Sequence, residues 1–506
     1  MLALIVLVAA TGCIRRPVDN PNIIVMGMTA GPNNLDPRMA SDDTSQKLNQ
    51  LIFSSLVTFD ETLRIVPQLA ETMENPDPKT WVFTLKRGVK FHDGHELTSA
   101  DVVYTFRSML APGFVSSLRG AFRAVESVDA RDRYTVVFRL NQPFPTFPGN
   151  LVVPPIGPDG AGPSFREHPI GTGPYKFVSY AVDDRIELAA FDDYYGGRPS
   201  NDGLVFRFVP DDIMRGLELR KGTMDLVIND IAPDIVHQLD RAPTLTTVRS
   251  PGTDYQYVGI NHRDPLLRDL RVRRALAHAV DYDAIVEYLR RGLANRAVGL
   301  LPPVSWAFEP DVFRFTHDPE QAKRLLDEAG YRDPDGDGPA TRFTLTLKVS
   351  NIEFNRLQSA VIQQNFKAAG IGLDIRMYEF ATLYADVLKG AFQLYFLQWT
   401  GGSTADPDIL RRVFHSQQVP PSGFNRGYYN NPQVDALLDR ATMSADNDER
   451  LRLYREVQKV LAADVPYLSL WNKTNYAVSQ RSLSGVRLKP AADLLFLKDV
   501  ARVSSP

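Results

Sequence analysis

The sequence predicts an α/β fold built in layers. Strand-like alternation and helix-like periodicity interleave along the chain, which favours mixed layers over a segregated bundle or sandwich. No fixed-period repeat or low-complexity tract interrupts them, so a solenoid has no support. Composition is that of a globular protein, with 44% hydrophobic and 23% charged residues among 506.

In chain order, Ile23-Ile24-Val25 reads as a first strand ending near Met28 and Thr29. Trp81 to Lys86 and Tyr134 to Leu140 follow as strands with every second apolar side chain on one face. Nine prolines between Pro143 and Pro174 mark a return from one subdomain to another. A helix from Asp269 to about Asp281 places Val272, Ala275, Leu276, Ala279 and Val280 inward and leaves Arg271, Arg273 and Arg274 as a solvated face. Asp318-Pro319 supplies an N-cap and a first-turn proline, Gln321 completes a capping-box-like pair, and Gly330 closes that helix after Ala322, Leu325, Leu326 and Ala329. Phe343 to Val349 alternates as a strand. Asn431-Pro432 starts a helix that buries Val434, Leu437, Leu438 and Ala441, and a last one buries Leu453, Tyr454, Val457, Val460 and Leu461.

The single cysteine, Cys13, follows an apolar run from Leu2 to Ala10 in the string Ala10-Thr11-Gly12-Cys13. A short apolar stretch ending in small residues reads as a secretory signal. Its ending resembles the lipobox of bacterial lipoproteins, which implies that Cys13 becomes the lipidated first residue of the mature chain, with the lipoprotein signal over 1–13 and a tether over 14–20. The n-region holds no Lys or Arg, so the start codon could lie upstream of Met1. About 490 residues would remain, enough for two or three domains. No apolar stretch reaches the roughly 18 residues that cross a bilayer. Net charge is −3, with 57 basic against 60 acidic residues, and this is no nucleic-acid footprint. One cysteine excludes internal disulfides and cysteine metal sites.

A series of strings then becomes recognisable: Asn34-Leu35-Asp36-Pro37, Pro67-Gln68-Leu69-Ala70-Glu71, Phe91-His92-Asp93-Gly94 with Leu97 to Val103, Ile170 to Tyr175, Val272 to Ala277, Asp327 to Tyr331, Ala405-Asp406-Pro407-Asp408, and Tyr429-Asn430-Asn431-Pro432. In this order and spacing, over more than four hundred residues, the chain resembles the peptide- and nickel-type family (family 5) of ABC-importer extracellular solute-binding proteins. The resemblance implies a two-lobed periplasmic-binding-protein fold (type II, Venus-flytrap) with an extra subdomain inserted in the first lobe. It assigns 21–57, 169–262 and 477–506 to the core of lobe I, 58–168 to the insertion and 263–476 to lobe II, with hinge strands near Tyr257 to Asn261 and Trp471 to Val478. It also implies a monomer that captures a peptide or similar solute between its lobes, delivers it to permease subunits in the cytoplasmic membrane, and sits at the periplasmic side or cell surface by its lipid. No cofactor is implied.

Within that frame, Phe396 to Ser403 carries the most ligand information, since a strand ending in Trp399, Thr400, Gly401 and Gly402 offers a ring to stack on solute and backbone that can approach it. In peptide-binding relatives the position three after this Trp is commonly an Asp that pairs with the peptide's α-amino group. Here it is Gly402, which removes the charge-assisted anchor and argues against free dipeptides. Asp406 would substitute if its loop folds inward; a turn and helix start is the plainer reading. Tyr255 and Tyr257 share one face of a strand, lining either the pocket or the hinge core. Met28 and Thr29 occupy a position that approaches ligand in relatives. His415 is a candidate for an acidic or metal-bound solute, against the plainer expectation of a solvated loop.

Three motifs are set aside. Asp333, Asp335, Asp337 and Gly338 match half an EF-hand loop, but Thr344 replaces the twelfth-position Glu and a strand follows. His92 and His95 beside Asp93 and Glu96 fit a tight turn and a helix start capped by Thr98 and Asp101 better than zinc. Gly171-Thr172-Gly173 runs into a strand, where a dinucleotide loop would enter a helix. No Gly-x-Ser-x-Gly, no His-Glu-x-x-His and no cysteine nucleophile is present, so no enzyme is expected. A secreted carboxylate-pair hydrolase acting on extracellular glycan is the alternative from another class.

Overall fold

The computed structural model describes residues 20–503 apart from 41, 337, 401–405, 422 and 445. Cys13 and the expected signal lie outside the described residues. One large mixed sheet runs through the molecule. From one edge its strands are Ile371–Tyr378, Phe343–Ser350, Leu394–Trp399, Leu245–Ile260, Tyr467–Gln480, Leu226–Ile228, Ile23–Met28, Gly203–Phe208, Arg185–Ala190 and Tyr175–Ala181, with Ala294–Arg296 added on Tyr467–Gln480.

The two long central strands carry the sheet from one half to the other. Leu245 to Pro251 pairs with Thr474 to Gln480, whose next neighbour is Leu226–Ile228 of the first half. Tyr255 to Ile260 pairs on its other side with Leu394–Trp399 of the second half. Between them the register shifts: Pro251 faces Thr474 and Tyr255 faces Asn472, so extra residues bulge at the crossing. A bulge bends and twists the strand that holds it.

Strand alternation builds separate cores on the two faces of each half. Ile24, Met26 and Met28 pack with Leu48, Leu51 and Ile52 of the helix Asp43–Ile52, while Val25 packs on the opposite face with Leu219, Val227 and Val236. In the second half, Val258 and Ile260 join Leu276, Leu345 and Phe366, and Tyr255 and Tyr257 join Leu397, Trp399, Leu438 and Tyr454. A second sheet, ordered Ala70–Asp77, Thr80–Leu85, Thr135–Leu140, Val125–Asp132, has a core of its own in which Phe83, Phe106, Phe138 and Phe147 meet.

The end signals act as the residues suggest. Asp318 accepts the Gln321 amide at 2.8 Å ahead of the helix Pro319–Glu328, and Gly330 closes it at φ +93°. Asn431 caps Pro432–Met443, and Asp269 caps Leu270–Ala279. Arg273 departs from the expected solvated face. It is 6% exposed and donates to the carbonyls of Leu267, Arg268 and Asp464, tying the loop before its helix to the end of the helix Asn447–Asp464. No described helix is long and apolar enough to cross a membrane.

Candidate functional site

The two halves meet beside the crossing strands. At the floor, the Lys473 ammonium stands 3.8 Å from Asp254, which also accepts from Gln398 Nε2 at 3.1 Å. Burial lowers the pKa of Lys473, and Asp254 opposes that shift. Thr29, exposed at the end of its strand, donates its amide to Asp230 at 3.2 Å. Arg291 of the second half pairs with Asp234 of the first. On the other side, Asp406 lies against the segment that carries the smaller sheet: a Cβ on Gly149 would sit 3.4 Å from its Oδ2. The guanidinium of Arg64, also from that segment, faces the Trp306 ring at 6.0 Å.

Burial, with the neighbouring Asp408 adding to it, pushes the Asp406 carboxyl up to about 6, against the lowering effect of Arg450 and Arg412. Its Oδ1 accepts the Asp408 amide at 2.8 Å, so the Asp-Pro-Asp string is a turn whose first carboxylate nonetheless reaches the junction. Trp399 is the last residue of its strand and is 9% exposed, packed edge-on against Phe424 with centroids 5.4 Å apart. Thr400 beside it is exposed, while Gly401 and Gly402 lie outside the described residues.

The remaining expected site residues are enclosed. The Tyr255 and Tyr257 rings stack at 5.4 Å, Tyr257 stacks on Tyr467 at 4.3 Å, and both are buried, with the Tyr255 hydroxyl 2.6 Å from Ser469 Oγ. Met28 is buried in the first-half core. His415 differs from the solvated loop expected: it is 1% exposed, receives the Gln417 amide on Nδ1 at 3.1 Å and has Asp439 3.2 Å from Nε2. These contacts tie it to the helix Pro432–Met443 that carries Asp439. A partly open cavity of about 70 Å³ lined by Tyr255 and Tyr467 is far from the roughly 300–1,000 Å³ of a solute pocket.

Sequence reasoning missed Arg426, Arg64 and Trp306. Arg426 sits in a loop with no helical or strand period, and its partners Tyr257 and Tyr384 lie far away in the chain. The set-aside motifs have structural roles. His92 accepts the Gly171 amide on Nδ1 at 3.3 Å and bonds the Gly173 carbonyl through Nε2 at 3.0 Å, pinning the Gly171-Thr172-Gly173 loop. Asp335 accepts the Ala340 amide at 3.0 Å; Asp337 lies outside the described residues. No group of three or more metal-ligating side chains occurs among the described residues.

Comparison with known proteins decides the family. The model for bacterial extracellular solute-binding proteins, family 5, matches residues 64–421. The chain belongs to this family. The oligopeptide-binding protein AppA of Bacillus subtilis is 28% identical, the match covering 93% of this chain and 90% of AppA. A putative ABC transporter peptide-binding protein of Brucella ovis is 31% identical over 87% of this chain and 85% of its own length. Among solved structures, AppA of Bacillus subtilis in complex with a nonapeptide matches with TM-score 0.77 and 27% identity, covering 95% of this chain and 99% of that one. HbpA2 of Haemophilus parasuis matches the fold at TM-score 0.85 and 24% identity, covering 95% and 100%. The fold is therefore the two-lobed α/β type II fold of this family, whose members are extracellular binding proteins of transport systems.

Proposed function

We propose that this family 5 protein is the receptor of an ABC importer, capturing a peptide-like solute between its lobes and passing it unaltered to the permease. The observation that carries the reading is the pair of antiparallel strands, bulged at the crossing, that forms the junction beneath Trp399 and Asp406. Only a difference in ligand affinity between open and closed arrangements can drive closure about such a hinge. We place the hinge near Pro251 to Asp254 and Thr474 to Tyr476. This keeps the boundary expected at 477, moves the one expected at 262 back to the bulge, and leaves 58–168 as the inserted subdomain. Similarity to an oligopeptide-binding, a dipeptide-binding and a glutathione-binding protein supports a peptide-like cargo and favours a receptor over the glycan hydrolase. Cys13 would hold the monomer to the membrane through its lipid, with buried methylenes giving the affinity.

Trp399, Thr400 and Asp406 are assigned to the wall of the solute site, with Thr29 at its far side, and Gly401 and Gly402, next in sequence after Thr400, are assigned to ligand contact with them. Met28, Tyr255 and Tyr257 support it from behind, and His415 supports the helix beneath. Trp399→Ala is expected to weaken binding of the strongest thermal-shift hit by about 1–3 kcal/mol through lost stacking. Titration calorimetry on the folded variant checks this, and unchanged affinity would remove Trp399 from the wall. Free dipeptides are expected to bind less tightly than other hits, following from Gly402.

A further inference from the structure

Four arginines are buried among the described residues, and three have strong acceptors. Arg38 forms a paired salt bridge with Asp36, its Nε and Nη2 at 2.9 and 2.6 Å from the two carboxylate oxygens. Arg215 donates to the carbonyls of Val209, Pro210 and Asp230, and Arg273 to three carbonyls as described above. Arg426 has neither a carboxylate nor a carbonyl. Among the described residues its guanidinium, 5% exposed, donates only to two phenol oxygens, Tyr257 at 3.3 Å and Tyr384 at 3.1 Å. Three rings enclose it, with its Cζ 4.9 Å from the Trp399 centroid, 5.2 Å from that of Tyr384 and 5.3 Å from that of Phe424.

Two donors in this box have no acceptor among the described residues, Arg426 Nε and Trp399 Nε1. An unmade hydrogen bond on a buried donor is costly, and an uncompensated buried charge costs more. Both missing partners are acceptors, they belong to neighbouring groups, and one donor is cationic. The complement is an anionic group with two oxygens, for which a guanidinium is the matched receiver. The box also lies at the right place. Trp399 ends its strand beside exposed Thr400, and Phe380, 53% exposed, stacks on Tyr384 at 5.8 Å, so the guanidinium sits one ring in from solvent. Phe424 also carries the guanidinium of Arg412 at 4.9 Å, and Arg412 interacts with Asp406 at the junction.

We propose that Arg426 and Trp399 form an anion subsite that takes a carboxylate of the cargo, one oxygen on Arg426 Nε–H and the other on Trp399 Nε1–H. The cargo is then an acidic peptide-like solute, held by its negative end. This rests on the reading of the chain as a solute receptor and gives that receptor its substrate class: Gly402 removes the carboxylate that would hold an amine, and Arg426 supplies a cation that holds an acid.

The probe is a mixture of N-acetylated tetrapeptides, prepared as free acids and as C-terminal amides, incubated with the full chain and separated by gel filtration, with the retained peptides measured by mass spectrometry. Wild type is expected to retain the acids at least tenfold over the amides. Arg426→Met is expected to abolish that ratio, and Arg426→Lys to keep part of it. Trp399→Phe keeps a ring and loses the donor, so it is expected to lower the ratio severalfold even if Arg426→Met does not fold. Equal retention of acids and amides by wild type overturns the subsite and leaves the receptor reading standing. A ratio that persists in folded Arg426→Met shows the arginine to be structural only and overturns it as well. Retention of neither mixture counts against both the subsite and the peptide receptor.

Discussion

Gly171→Ala is expected to lower stability by about 3 kcal/mol or more, or to prevent folding, because a Cβ there would stand 2.0 Å from the Ile52 carbonyl oxygen and 2.8 Å from its carbon. The obstacle is backbone at the end of the helix Asp43–Ile52, so no side chain can swing aside. Gly173 is held as closely, with its amide donating to that same carbonyl at 2.9 Å and a Cβ there falling 2.4 Å from Leu51 O. The loop therefore seats on the helix terminus and satisfies one of its orphan carbonyls. His92 braces it from the other side. Gly120→Ala is the control: nothing lies within 4 Å of its Cβ and its φ is not positive, so a change within about 0.5 kcal/mol is expected. Urea unfolding of the two variants checks the pair. Near-equal midpoints would mean that the loop does not pack on the helix end.

The second large effect is acid destabilisation beginning well above the carboxylate range. Burial lowers His92 to about 4 and His262 to about 3, the positive charge of Arg273 adding to the latter. Both are neutral in the folded protein at pH 7, whereas in the unfolded chain they take up protons near pH 6.5. Between pH 6.5 and 4 the unfolded state binds more protons, so stability is full above 6.5 and falls as pH drops through that window. About 2 kcal/mol per histidine is expected, after allowing for partial exposure. Asp406 acts with the opposite sign: its carboxyl, pushed up to about 6, gains a proton earlier in the folded state and offsets part of the loss between pH 6 and 4. Protonated His92 also loses its acceptor for the Gly171 amide. Urea midpoints at pH 7.0 and 4.5 should differ clearly in wild type and less in His92→Asn. Equal slopes for the two proteins would remove His92 from this account.

How much of this was legible depended on whether the cause was local. Asp318, Gln321 and Gly330 specify a helix by themselves, and the structure places its ends accordingly. Alternation showed that Tyr255 and Tyr257 share a face, but both faces of this sheet are covered, so parity could not tell core from cleft. The burial of His415 depends on a helix whose facing aspartates lie further along the chain, and that of Arg273 on the distant carbonyl of Asp464. Neither partner is visible in a window of neighbouring residues. The glycines at 171 and 173 looked like a motif without a purpose because their constraint is a helix end more than a hundred residues earlier. Arg426 was silent for the same reason, as its phenols come from Tyr257 and Tyr384. The order of the recognisable strings carried the family, while the chemistry of the cleft had to wait for the fold.

The measurement that bears most directly on the account is a thermal-shift screen of N-acetylated and free peptides, sugars and metal chelates, followed by mass spectrometry of each stabilising compound recovered from the protein. A receptor is expected to show an acidic, peptide-like compound that raises the melting temperature and comes back with its mass unchanged. A stabilising compound recovered cleaved or otherwise altered would make the chain an enzyme and contradict the central claim.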